Sequence, residues 1–172
     1  MKKEIHELFN DLNLFAEQIA NVSLTNLLFD VYEFKINAMQ VNLIFTEKGQ
    51  FDNVQTAFSA LFKKELFDSE EWNINDDPSP SDKEWKTTLK NLWINTYYPK
   101  EIICIETINK GDFIHRFKNE LVAVNAPKTA IREFLNRLKY AETIKVKKGY
   151  IYDYFFGQSE DYYFVFEWGI YA

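Results

Sequence analysis

Apolar and polar positions alternate toward the C-terminus. Ile144, Val146, Tyr150, Tyr152, Tyr154 and Phe156 fall on one parity, with Lys145, Lys147, Gly149 and Asp153 on the other. The alternation resumes at Tyr162, Phe164, Phe166, Trp168 and Ile170, against Glu167 and Gly169. A period of two predicts strands, because successive side chains leave a strand on opposite faces. Gly157-Gln158-Ser159-Glu160-Asp161 has the composition of a longer hairpin loop. Pairing Phe156 with Tyr162 would set both aromatic series on one face, where Phe164, Phe166 and Trp168 should be buried. The other parity holds Ile151, Phe155, Tyr163, Val165 and Tyr171. A hairpin apolar on both faces is expected to be a central pair covered on both sides. The alternative is an aromatic surface left for a partner.

Upstream the period lengthens to that of a helix. Ile5, Leu8, Phe9, Leu12, Ala16 and Ile19 form one stripe, predicting a helix over Glu4–Ala20. Tyr32, Phe34 and Ile36, then Val41, Leu43 and Phe45, alternate with polar residues and predict a hairpin turning near Asn37-Ala38. A second helix is predicted from about Asn53 to Phe67, with Asp52 as its N-cap. Residues 73–81 read as a loop. Ser81 and Glu84 then stand at capping-box spacing and start a short helix through Trp85, Leu89, Leu92 and Trp93. Ile102–Ile108 reads as a buried-type strand. Asp112 is placed to cap a helix carrying Phe113, Phe117 and Leu121. Pro127 suits the first turn of a helix running to Lys139, with Ile131, Phe134, Leu135 and Leu138 inward. Hairpins outnumber strand–helix–strand units. The class predicted is therefore α+β, one domain over residues 1–172, with a mainly antiparallel sheet and about five helices.

Composition changes this picture little. Phe and Tyr are abundant while Gly and Pro are scarce, the opposite of a disordered chain. No stretch reaches the length of a membrane span, and Glu4, His6, Glu7 and Asp11 interrupt anything resembling a signal peptide. The lone Cys104 excludes an internal disulfide and fits burial within Ile102-Ile103-Cys104-Ile105. A cytoplasmic location is expected.

Charge changes it more. Between residues 68 and 84 stand Asp68, Glu70, Glu71, Asp76, Asp77, Asp82 and Glu84 against the single base Lys83. That excess equals the net charge of −6, so the rest of the chain is balanced. Trp72 and Trp85 lie within the acidic run. A solvated loop would account for the acids. A docking surface for a basic protein would account for the tryptophans too, as anchors among steering charges. The partner-binding residues expected are therefore Asp68, Glu70, Glu71, Trp72, Asp76, Asp77, Asp82, Glu84 and Trp85. A basic stretch, with Lys128, Arg132, Arg137, Lys139, Lys145, Lys147 and Lys148, balances the other end; no direct nucleic-acid binding is expected at this net charge, although the stretch would allow a phosphate contact.

Catalytic and metal-binding patterns are missing. Neither His6 nor His115 has a partner at ligand spacing, and one cysteine makes no thiolate site. There is no glycine-rich phosphate loop and no nucleophile elbow. Asp76 and Asp77 adjoin in a Pro-containing loop, without the burial that would shift a carboxyl usefully. No enzyme activity, metal or other cofactor is expected. With its small size, acidity, aromatic richness and lack of motifs, the chain resembles the immunity proteins of bacterial toxin–immunity pairs, including contact-dependent inhibition systems. The acidic run 68–84 and the strand Tyr162–Tyr171 carry that resemblance. It implies direct binding and neutralisation of a cognate toxin, often a basic nuclease, inside the producing cell. Two alternatives stand beside it. One is a nucleic-acid-mimicking inhibitor of phage or plasmid origin. The other is a small-molecule binder whose pocket is lined by Tyr150, Tyr152, Tyr154 and Trp168.

Overall fold

The computed structural model describes residues 1–68, 103–148 and 151–170. The fold is α+β. Among the described residues there are five helices: α1 (Lys2–Asn10), α2 (Leu12–Asn21), α3 (Val54–Asp68), α4 (Lys110–Ala123) and α5 (Lys128–Arg137). The strands are β1 (Asp30–Ile36), β2 (Met39–Glu47), β3 (Ile103–Thr107), β4 (Glu142–Lys148), β5 (Tyr152–Gln158) and β6 (Tyr162–Ile170). The strands form one six-stranded sheet in the order β1-β2-β6-β5-β4-β3, and every pairing is antiparallel. The chain divides into two compact units, one of Met1–Leu27 and Phe51–Glu101, the other of Leu28–Gln50 and Ile102–Ala172.

The first unit contains α1, α2 and α3. The stripe over Glu4–Ala20 is interrupted, giving two helices where one was predicted. Asp11 is extended (φ −129°, ψ 90°), and its Oδ1 accepts from the amides of Asn13 and Leu14, capping α2. The short carboxylate competes for orphan amides and so restarts the helix. Asn53, not Asp52, caps α3, accepting from the Thr56 amide at 2.9 Å. Ile5, Leu8, Phe15, Ile19, Phe58, Leu61 and Phe62 are buried, and the Phe15 and Phe58 rings stack at 5.8 Å. Buried Lys63 donates to the carbonyls of Ala20 and Val22, the last turn and C-cap of α2, where a cation complements the helix dipole.

The second unit holds the sheet with α4 and α5. β1 and β2 turn at Asn37-Ala38 as the pattern predicted, with Asn37 at φ 52°, a conformation that Asn tolerates. Helix α4 is capped by Asn109 rather than Asp112; Asn109 Oδ1 accepts from the Gly111 amide. It ends on Asn125 at φ 57°, with amides 125 and 126 closing on the carbonyls of Val122 and Leu121. Pro127 is the N-cap of α5, one residue before the first turn. One face of the sheet presents Val41, Leu43, Phe45, Phe155, Phe164 and Phe166 to Phe113, Phe117, Leu121 and Phe134 of these two helices. Phe117 lies 4.9 Å from Phe166 between ring centroids. The opposite parity, Ile44, Tyr154, Phe156, Tyr163 and Val165, is buried too. β5 and β6 are thus central strands buried on both faces, as expected.

Four expectations for the C-terminal half are corrected. The run 144–156 is two strands, since β4 stops at Lys148 and β5 starts at Tyr152 as its antiparallel neighbour. The pairing is also displaced by an odd number of residues. Phe156 faces Val165, and Gly157 faces Phe164. The two even-numbered aromatic series therefore lie on opposite faces. The reason is local: the loop is a tight turn over Glu160-Asp161, closed by the Ser159 amide on the Tyr162 carbonyl at 2.8 Å. Gly157 belongs to the strand, where its missing side chain admits the Phe164 ring. Phe164 and Phe166 are fully buried as predicted, while Trp168 is only half-buried. Lastly, β3 is an edge strand, with Glu106 and Thr107 exposed and Cys104 half-buried. A bulge displaces its pairing between Ile103 and Glu106, with Ile105 at φ 38°, and a matching shift interrupts β4 between Lys145 and Lys147.

Candidate functional site

Of the predicted partner-binding residues, Asp68 is the last residue of α3. Glu70, Glu71, Trp72, Asp76, Asp77, Asp82, Glu84 and Trp85 lie outside the described residues, as does the helix predicted after Ser81.

Within the second unit the charged side chains that come together are ones the pattern left scattered. Asp153 stands between two tyrosines on β5, on the odd parity that faces α4. Its carboxylate is buried. Oδ2 accepts from Arg116 Nη2 at 2.6 Å, and Oδ1 lies 3.4 Å from Lys145 Nζ. Arg116 comes from α4, three residues beyond Phe113, so helical spacing brings it over the same part of the sheet. Lys145 comes from β4, where it is paired with Phe155. The guanidinium centre sits 5.3 Å from the Trp168 ring centroid and 5.8 Å from that of Phe155, and Lys145 Nζ sits 5.4 Å from Phe155. Glu120, one turn along α4, brings a carboxylate oxygen 3.9 Å from Arg116 Nε. Burial pushes the Glu120 carboxyl up, Arg116 opposes this, and Asp153 adds to it. Two acids and two bases leave the cluster neutral. A lone acid inside an aromatic strand was the available signal for it: one buried carboxylate demands cations nearby.

A second polar row crosses the other face. Gln40 Nε2 donates to Asn42 Oδ1 at 3.0 Å, and Asn42 Nδ2 donates to Glu167 Oε2 at 3.4 Å. Tyr152 shares this face, and burial, then Glu167 and Asp153, raise its phenol pKa. The register corrects the aromatic-pocket alternative. Tyr152 and Tyr154 lie on the face opposite Trp168, so they do not line one cavity with it; Tyr150 is outside the described residues.

The chemistry these groups support is structural. Arg116 and Lys145 are engaged by Asp153. Burial raises the Cys104 thiol pKa, with Glu106 adding to it, which keeps the sulfur protonated and a weak nucleophile. Its Sγ contacts the Lys145 carbonyl at 3.5 Å. His6 and His115 are exposed, each beside an asparagine one helical turn on, at 3.4 Å and 3.0 Å. Of the basic stretch, Arg137 is held by Asp30 at 2.5 Å and Glu133 at 3.0 Å and lies over the Phe45 and Tyr162 rings. Among the described residues no three His, Cys, Asp or Glu side chains gather where they could hold a metal, and no helix is long and apolar enough to cross a membrane. In the first unit an open groove of about 630 Å³ runs beside α2, lined in part by Glu7, Leu14, Glu17, Gln18 and Gln55. Its charged side chains, Glu7 and Glu17, are both acids.

Comparison with family models, with curated proteins and with solved structures finds no match.

Proposed function

We propose that the chain is a non-enzymatic binding protein that neutralises a cognate basic toxin by direct contact. The acidic segment of residues 68–84 steers the encounter. The observation that carries this reading is the address of the charge. A net charge of −6 is confined to one segment that also holds Trp72 and Trp85, while the rest of the chain is balanced. Concentrated charge of one sign speeds association with a complementary partner, and aromatic anchors slow its departure. The ion pairs of the second unit fit the same reading: Asp153 engages Arg116 and Lys145, and Asp30 engages Arg137.

The test is binding kinetics against the basic product of the gene beside this one, prepared as an inactive variant. If these acids form the rim of a contact, the triple variant Asp76→Lys, Asp77→Lys, Asp82→Lys should fold normally, because substitutions away from a core usually shift stability by within ~0.5 kcal/mol. It should associate more slowly than the wild type, and its association rate should depend less on salt. Unaltered kinetics in the triple variant would return the segment to a solvated loop. A neighbour that does not bind at all would remove the toxin reading.

A further inference from the structure

The two edges of the sheet differ. β3 is short and bulged, a form that discourages further pairing. β1 runs seven residues in unbroken register with β2, with no proline. Its hairpin closes on Ile36 and Met39 across a two-residue turn, which makes that pair a hydrogen-bonded one. Alternation then commits Phe34, Tyr32 and Asp30 to β2 and turns the N–H and C=O groups of Val31, Glu33 and Lys35 outward. Val31, Glu33 and Lys35 are exposed, and no described residue hydrogen-bonds to them.

We propose that β1 pairs antiparallel with β1 of a second copy of this chain, joining two sheets across a two-fold axis. The side chains choose both occupant and register. Outward-facing residues must oppose outward-facing residues. Centring the axis on Glu33 sets Glu33 against its own copy, a like-charge contact that opposes pairing. Centring it on Phe34 sets Glu33 opposite the partner's Lys35 and Lys35 opposite the partner's Glu33. Both pairs are then complementary and exchange their backbone bonds. The same register sets Phe34 against its own copy and Tyr32 against Ile36. These three are half-buried apolar side chains on the core face, and they would cover one another's exposed edges. A two-fold contact of this kind is self-complementary and closes at two copies. The inference is independent of the toxin reading.

Sedimentation over a range of concentrations tests it. The wild-type chain should form a dimer. Glu33→Lys or Lys35→Glu each turns both attractive pairs into repulsive ones, and either should weaken the dimer by about tenfold. The combined Glu33→Lys, Lys35→Glu variant restores complementarity in the same register and should recover it. Glu33→Pro removes an outward amide while sparing the ladder to β2 and should abolish the dimer. Circular dichroism checks that each variant is folded. Hydrogen exchange at amides 33 and 35 should slow as the wild type is concentrated. A chain that stays monomeric throughout overturns the proposal. So does a dimer indifferent to the single charge reversals, or one that the double swap does not restore.

Discussion

A Cβ built on Gly157 falls within 2.6 Å and 2.8 Å of Cε1 and Cε2 of Phe164, and closer still to Cζ. The register set by the turn depends on that close approach, and a single methyl should disturb it. Gly157→Ala should destabilise by about 1–3 kcal/mol, the usual cost of overpacking. Pairing it with Phe164→Leu should recover part of the loss, because residues in contact couple. Chemical denaturation of both singles and the double measures the coupling; additive losses would mean that the ring moves aside. Glu120 offers a second residue-scale test. Burial raises its pKa above an unfolded value of about 4.3. The fold therefore penalises its ionised form. The penalty is present above the raised pKa, is relieved as pH falls through it, and is absent once both states are protonated. Glu120→Gln should be more stable than the wild type at pH 7, and the difference should close toward about pH 4. Melting curves across that range check it. A less stable variant at pH 7 would show that the nearby Arg116 outweighs burial. The parity of these residues was legible in the sequence. Their register was not, because a glycine beside polar residues reads as loop whether it turns the chain or makes room for a ring.

At the scale of elements, the misread helix boundaries share one cause: a short polar side chain at the boundary. The apolar stripe of residues 5–19 is continuous in period, yet Asp11 ends one helix and caps the next. Asn53 and Asn109 displace the caps predicted at Asp52 and Asp112 by one and three residues. Asx side chains are interchangeable as caps in sequence, and backbone geometry chooses between them. The β4–β5 reversal was hidden for another reason: Lys145, Lys147 and Gly149 carry the alternation onward, and only Lys148, a charge on the apolar parity, marked the break. Asp11→Ala should cost about 1 kcal/mol through loss of the α2 cap, whereas Asp11→Ser should cost less, since serine also caps. Denaturant midpoints at unchanged slope measure this. Equal losses in the two variants would assign the role of Asp11 to something other than its acceptor oxygen. The hydrophobic faces were read well by contrast: Phe113, Phe117, Leu121 and Phe134 all reach the core, because burial of large side chains follows helical period directly.

At the scale of the whole molecule, charge is partitioned. Arg116, Lys145 and Arg137 are each tied to a carboxylate inside the second unit, while the net charge lies in residues 68–84. Pairing of the first kind was illegible in the sequence, since Asp153 lies 37 residues beyond Arg116. Segregation of the second kind was legible by counting. The tryptophans discriminate between roles for the acidic segment. A core tryptophan and an interface tryptophan both lose contacts on truncation, but the losses appear in different measurements. Replacing a buried ring by alanine typically costs ~3–5 kcal/mol of folding stability. Replacing an interface anchor leaves the free protein nearly as stable and raises the dissociation rate, since mutational effects on affinity fall mostly on that rate. If Trp72 and Trp85 are anchors among steering acids, Trp72→Ala and Trp85→Ala should each accelerate dissociation from the basic partner at least tenfold and leave the melting temperature close to that of the wild type. The lysine triple variant should do the reverse kinetically, slowing association and sparing dissociation. Thermal melts and dissociation kinetics on the same preparations separate the outcomes. A large drop in melting temperature with unchanged dissociation would make the rings part of a core and confine the partner contact, if there is one, to the acids.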